Sequence, residues 1–247
     1  MSKNIVIAGK DYSKNTKVST IAKQLGMNAF VTTSEIEEAS AIIGETSNAS
    51  SEKNAKDISL TVWHRNSPIS AKTIIVNAEN KFEKIDAALV FFETAVYNQL
   101  FSGNELQDYD KACDEIILGY QFLVTEFLRR FEKKQHGKIF FILQSMQSLS
   151  DYLKLSSREQ MAKPAYSGTI ASTAQQAFRT FAENIAAVNF RENNCPIYLV
   201  ETESNMSEQK ILEWILPRIE EPNPIYKNAK QAVTWITPDE KNKLFGK

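Results

Sequence analysis

The chain has 247 residues, of which 43% are hydrophobic and 24% charged, enough material for a well-buried core read as one domain over residues 1–247. Its formal net charge of −1 gives no overall attraction for nucleic acid or an anionic membrane, and no apolar run approaches membrane-spanning length. Two distant cysteines, Cys113 and Cys195, and two isolated histidines, His64 and His136, offer neither a CxxC pair nor a metal-ligand set, so no metal is expected. The start, Met1 to Gly9, lacks the long apolar core of a secretory signal and is expected to begin the fold directly, in a cytoplasmic protein with reduced thiols.

Asn4 to Gly9 is a short β-branched run ending in glycine, followed by helical spacing through Val18, Ile21, Ala22 and Leu25. Asn28 to Thr33 reads as a second strand, with a helix near 35–43 and a polar surface loop over 44–57. A third strand spans Ile58 to Trp63, and Asn66-Ser67-Pro68 marks the start of a helix over Ser70 to Phe82. Ala87 to Phe92 is an unbroken apolar run, the kind of strand that a parallel sheet buries on both faces. Long helices are expected over 106–134 and 166–189, flanking a strand at Lys138 to Leu143. A sixth strand lies at Pro196 to Val200, then a helix at Ser207 to Glu220, and Ala232 to Thr237 offers a seventh strand. Strands alternating with helices predict an α/β fold, a doubly wound three-layer sandwich with a parallel six- or seven-stranded sheet.

Glycine is scarce, eight residues in 247 against an average usage of about 7%. Sites that bring backbone against phosphate are usually built with glycines, so the count argues against a glycine-built nucleotide site.

Four segments, in order and spacing, resemble the short-chain dehydrogenase/reductase family, and the resemblance runs from Ile5 to about Thr237. They are Asn66 to Asp86, Ala87-Ala-Leu-Val-Phe-Phe-Glu-Thr94, Gly137-Lys-Ile-Phe-Phe-Ile-Leu-Gln-Ser145, and the helix opened by Pro164-Ala-Tyr166. The resemblance implies a Rossmann-like fold, a catalytic tyrosine with a lysine four residues on, a serine at the end of the fifth strand, and NAD(P). Here Tyr166 is followed by Ile170, which supplies no cation to lower a phenol's pKa. The serine position falls on Gln144, with Ser145 one residue late, and a one-residue slip reverses a strand side chain. The helix asparagine of the family falls on Ile116. Tyr166 and Ser145 are therefore the remnant catalytic pair.

In place of the family's GxxxGxG stands Gly9-Lys-Asp-Tyr-Ser-Lys-Asn-Thr16, where only Gly9 is retained. Gly9, Ser13 and Lys14 are the candidate cofactor-binding residues, with Lys10 and Lys17 as further cations at a helix N-terminus. The plainer account makes the lysines solvated and Ser13 or Asn15 a helix cap. Phe91-Phe92-Glu93-Thr94 stands where the family has NNAG, and its bulk and charge are expected to obstruct a dinucleotide. No cofactor is expected, and NAD(P) enters only if the protein is an active enzyme.

Three functions follow from this reading. The first is a catalytically degenerate, non-catalytic binding or structural module. The second is an NAD(P)-dependent oxidoreductase with a rearranged site using Tyr166 and Ser145 or Ser148. The third is a small-molecule or acyl-chain binding protein, with Phe91, Phe92, Tyr97, Tyr152 and Tyr166 lining a cleft. The resemblance implies a homodimer or homotetramer paired through helices 106–134 and 166–189, and the segment 144–163 is expected to carry specificity.

Overall fold

A computed structural model of the protein describes residues 2–10, 15–33, 59–102, 105–162, 165–192, 195–224, 226 and 228–238. The expected helix at 35–43 and loop at 44–57 lie outside the described residues. Six strands, β1 (Lys3–Ala8), β2 (Met27–Thr33), β3 (Ser59–Val62), β4 (Ala87–Glu93), β5 (Lys138–Ser145) and β6 (Ile197–Glu203), form one sheet. All pair in parallel, in the order β3-β2-β1-β4-β5-β6. The protein has a Rossmann-like doubly wound α/β fold, and the strand order reverses between β1 and β4.

The helices are α1 (Asn15–Gln24), α2 (Pro68–Phe82), α3 (Thr94–Leu100), α4 (Leu106–Ala112), α5 (Gly119–Lys134), α6 (Leu149–Tyr152), α7 (Ser157–Ala162), α8 (Thr169–Glu192), α9 (Glu208–Glu220) and α10 (Ala229–Ala232). Strand periodicity divides the core between the two faces of the sheet. Val6, Ala8, Ala88, Val90, Phe92, Ile139, Phe141 and Leu143 pack against α2, α5 and α8 through residues such as Ile74, Val124, Phe127 and Phe178. Their neighbours Ile5, Ile7, Leu89, Phe91, Phe140 and Ile142 turn the other way, onto Val18 of α1 and Ile211, Leu212 and Ile215 of α9. Local capping agrees with the sequence at α2, where Pro68 takes the first turn and the Ser67 hydroxyl accepts from the Ser70 amide.

Three expectations are corrected. The segment 232–237 is not a seventh strand, so the sheet has six strands among the described residues. The Asn228 side chain accepts from the Gln231 amide and starts the short helix α10. Trp235 then donates to Glu183 and lies under Arg179, which ties the segment to α8. Only Ile236 reaches the sheet, donating to the Leu199 carbonyl and accepting from the Glu201 amide. Second, the helix expected over 106–134 contains a π-helical turn, Cys113–Leu118, between α4 and α5. Third, the helix expected over 166–189 runs from Thr169 to Glu192, so Tyr166 precedes it. The Ser167 amide donates to Gln147 and the Gly168 amide to the Asn98 side chain, which holds this stretch outside the helix.

Candidate functional site at the strand carboxyl ends

In a doubly wound sheet the crevice for ligands lies beyond the carboxyl ends of the strands, where the strand order reverses. Here that point falls between the end of β1, continued by Gly9 and Lys10, and the end of β4 at Glu93. The Lys10 side chain does not extend into solvent. It is 1% exposed, and its Nζ donates to Glu93 Oε1 at 2.6 Å, Glu208 Oε1 at 3.0 Å and Gln144 Oε1 at 3.2 Å. These acceptors come from the end of β4, the first turn of α9 and β5. The four residues thus meet from four separate elements.

A buried charge is tolerated only when paired and hydrogen-bonded, and this ammonium has three acceptors for its three donors. Its Nζ also lies 5.3 Å from the centre of the Phe91 ring. Burial alone would push the Glu208 carboxyl upward, but the charges of Lys10 and Lys17 and its hydrogen bonds outweigh burial and hold it below the usual glutamate range. Lys17 is solvent-exposed and stands 3.6 Å from Glu208 Oε2 at the rim. Neither sequence account of Lys10, phosphate ligand or solvated loop lysine, matches this placement. Ser13 and Lys14 lie outside the described residues.

Gly9 has a packing reason of its own. Its φ of +83° is a conformation that L side chains rarely adopt. An added Cβ would collide with the Phe91 carbonyl and stand 2.6 Å from the Tyr120 hydroxyl. That hydroxyl donates to the Phe91 carbonyl at 2.7 Å, binding α5 to the end of β4. Behind it Arg65, just past β3, is buried over the Trp63 ring, 4.4 Å from its centre, and donates to Tyr97 at 2.5 Å. Burial raises the pKa of both phenols, Tyr97 and Tyr120, so they remain neutral partners of the guanidinium. Burial would lower the Arg65 pKa, yet the two tyrosines outweigh it and the group stays cationic.

The residues expected as a catalytic pair, Tyr166 and Ser145, are placed differently. Tyr166 is 42% exposed, and its ring packs on Tyr152 with centroids 5.1 Å apart. Ile170 faces the core, so the place a lysine would take is apolar. Gln144 is buried and turned to Lys10, while Ser145, the last residue of β5, is partly exposed opposite Glu203. Ser148 spends its hydroxyl on the Asp151 amide and carboxylate at the start of α6. The loops carrying Ser148 and Tyr166 do meet, through the Ser148–Ser167 bridge and the Gln147 to Ala165 hydrogen bond. Among the described residues, however, no hydrogen bond joins Tyr166 to Ser145 or Ser148. The π-helical turn buries Ile116, the position at which the resemblance implies an asparagine.

The expected aromatic lining is also revised. Phe91, Phe92 and Tyr97 are buried in the core, because β4 is covered on both faces, and only Tyr152 and Tyr166 reach the surface. His64 is exposed, and His136 pairs with Asp86 at 3.0 Å at the opposite end of the sheet. Among the described residues no group of three or more His, Cys, Asp or Glu is placed to hold a metal, and no helix is long and apolar enough to cross a membrane.

Sequence reasoning missed the pairing of Lys10 with Glu93 and Glu208. The signal was present in Ala-Ala-Leu-Val-Phe-Phe-Glu93, since a carboxylate closing a strand buried on both faces requires a cation nearby.

No protein-family model matches the chain. An uncharacterized protein of Treponema pallidum is 26% identical over 83 residues, 34% of this chain, and the match spans 38% of that relative's length. Solved structures are similar over far more of the chain. ElxO with NADP bound is 17% identical, covers 96% of this chain and 97% of its own, and superposes with a TM-score of 0.60. Serine dehydrogenase from Escherichia coli is 11% identical over 91% of this chain and 94% of its own, with a TM-score of 0.56. A 3-ketoacyl-(acyl-carrier-protein) reductase from Brucella melitensis, complexed with NADH, is 12% identical over 81% and 74%, with a TM-score of 0.53. At these identities the likeness establishes the fold alone, the Rossmann-like doubly wound sheet described above.

Proposed function

We propose that residues 1–247 act as one catalytically degenerate unit of dehydrogenase-like fold, a non-catalytic binding or structural module. The observation that carries this reading is the burial of Lys10 among Glu93, Gln144 and Glu208 at the point where the strand order reverses. A dinucleotide would have to separate a buried ammonium from two carboxylates and bring its own negative charge against them, and breaking a buried pair is costly. Ile170 at the lysine place and Ile116 at the asparagine place support the same reading. Titration with NADH and NADPH, followed by calorimetry, tests it. No saturable binding is expected into the millimolar range, and clear micromolar binding would refute the proposal.

The oxidoreductase reading draws on one specific observation, that the structure of ElxO matching 96% of this chain holds NADP. It predicts hydride transfer dependent on Tyr166, which the same titration followed by turnover assays would reveal. We further propose self-association through the helical layer of α4, the π-helical turn, α5 and α8, where Leu106, Tyr109, Leu118 and Val188 are exposed. Light scattering coupled to size exclusion is expected to give a dimer or tetramer mass, and a monomer would discard that pairing.

A further inference from the structure

A second concavity lies at the amino end of β6, at the other end of the strands from the crevice described above. It is a cleft of about 400 Å³ between the last turns of α8, the lead into β6 and the stretch that runs from α9 into α10. Ala186, Ile197 and Ala232, all buried, form its apolar wall together with the partly buried rings of Phe190 and Tyr226. Close-packed interiors leave few voids larger than a water. Clefts of roughly 300–1,000 Å³ with mostly apolar walls and a few placed polar groups are the usual form of a small-molecule site.

One polar atom in that wall is unspent. Asn189 is 7% exposed and its Nδ2 donates to the Cys195 carbonyl, while its Oδ1 accepts no hydrogen bond among the described residues. Tyr226 and Cys195 are engaged and neutral. The Tyr226 hydroxyl donates to the Ile197 carbonyl at 2.9 Å and the Cys195 thiol to the Gly137 carbonyl at 3.6 Å, and burial pushes both groups up to about 12. Among the described residues no charged side chain lines the cleft. Asn189 and Phe190 stand in the last turn of α8, the negative end of its dipole, which favours a donor over an acceptor. The wall therefore suits an uncharged molecule that brings its own donor and an apolar ring. We propose that this cleft binds a neutral, flat aromatic compound carrying one N–H or O–H donor, which meets Asn189 Oδ1 while the ring packs against Phe190 and Tyr226. The cleft is separate from the strand-end crevice, so the site stands whether or not a dinucleotide binds there.

The test uses the full chain, with indole as the probe and benzofuran, the same shape with an oxygen in place of the N–H, as its control. Both are titrated while amide signals are followed by NMR. Indole is expected to bind saturably and to shift the side-chain amide of Asn189 together with the backbone amides of Phe190, Ile197 and Ala232. Benzofuran should bind more weakly by about fivefold or more, the effect of one hydrogen bond. Ala232→Leu fills the cleft from α10 and should remove the response. If that variant does not fold, Ala186→Leu fills the cleft from α8 and takes the same titration, and if neither folds the comparison of indole with benzofuran on the wild type decides alone. Shifts that fail to saturate, that centre on residues elsewhere such as Tyr152 and Tyr166, or that survive in the filled cleft would overturn the proposal. Equal affinity for benzofuran would overturn it too.

Discussion

The two halves of the strand-end crevice differ in how their polar side chains are held. On the β1 and β4 side Lys10, Glu93, Gln144 and Glu208 are buried and engage one another across four elements. On the Tyr166 side the phenol is largely at the surface, stacked on Tyr152, and Ser148 serves as a helix cap. One half has become part of the framework of the protein, while the other contributes little to it. Buried ion pairs and exposed hydroxyl side chains are thus held in separate halves, and perturbing each should give unequal results.

The largest effect is expected from Lys10→Met, which leaves two carboxylates buried without their ammonium. Loss of a partner from a buried pair costs about 3–5 kcal/mol, and urea unfolding would measure it. A loss no greater than that of a surface substitution would erase the distinction between the halves. Gly9→Ala comes next, at about 1–3 kcal/mol for a residue held at positive φ, with the Phe91 carbonyl in the way of the new methyl group. Acid sharpens the comparison from another direction. Because the folded state holds the Glu208 carboxyl below its unfolded value, its contribution is complete above the ordinary glutamate range and is lost as pH falls through the lower, folded value. Urea midpoints measured against pH should therefore fall on the acid side, and E208Q should flatten that part of the curve. If E208Q tracks the wild type there, other carboxylates such as Asp86, whose pKa is also held low, govern the acid limb. Smallest is Tyr166→Phe, expected within about 0.5 kcal/mol of wild type, as for an exposed side chain. A large loss would show that the Tyr166 half is structural as well.

Much of the fold was legible because strand periodicity is local. The run Ala87 to Phe92 announced a strand buried on both sides, and Ser67-Pro68 announced the start of a helix. The segment 232–237 was misread because its β-branched and aromatic residues fit a strand, while tertiary contacts of Trp235 with Arg179 and Glu183 decided otherwise. Within the site, Ile170 and Gln144 were visible in the sequence as departures from the pattern the resemblance implies. The use made of Gln144 was not. Its oxygen meets an ammonium 134 positions earlier in the chain, and Glu208 meets the same atom from 198 positions away. Spacing rules describe neighbours along one element, so convergence of four elements on one nitrogen leaves no periodic trace.

The π-helical turn Cys113–Leu118 also sets the phase of everything that precedes it in that helical run. A π turn accommodates an extra residue in the winding, and one residue is worth about 100° of rotation around an α-helix. Upstream of it Leu106 and Tyr109 point outward, and downstream Tyr120, Leu123, Val124 and Phe127 line the core. Deleting a single residue there would swing α4 by roughly a quarter turn relative to α5 and re-aim its outward apolar side chains. The turn thus works as an indexing device, setting which residues the first helix offers to its surroundings without altering the packing of the second.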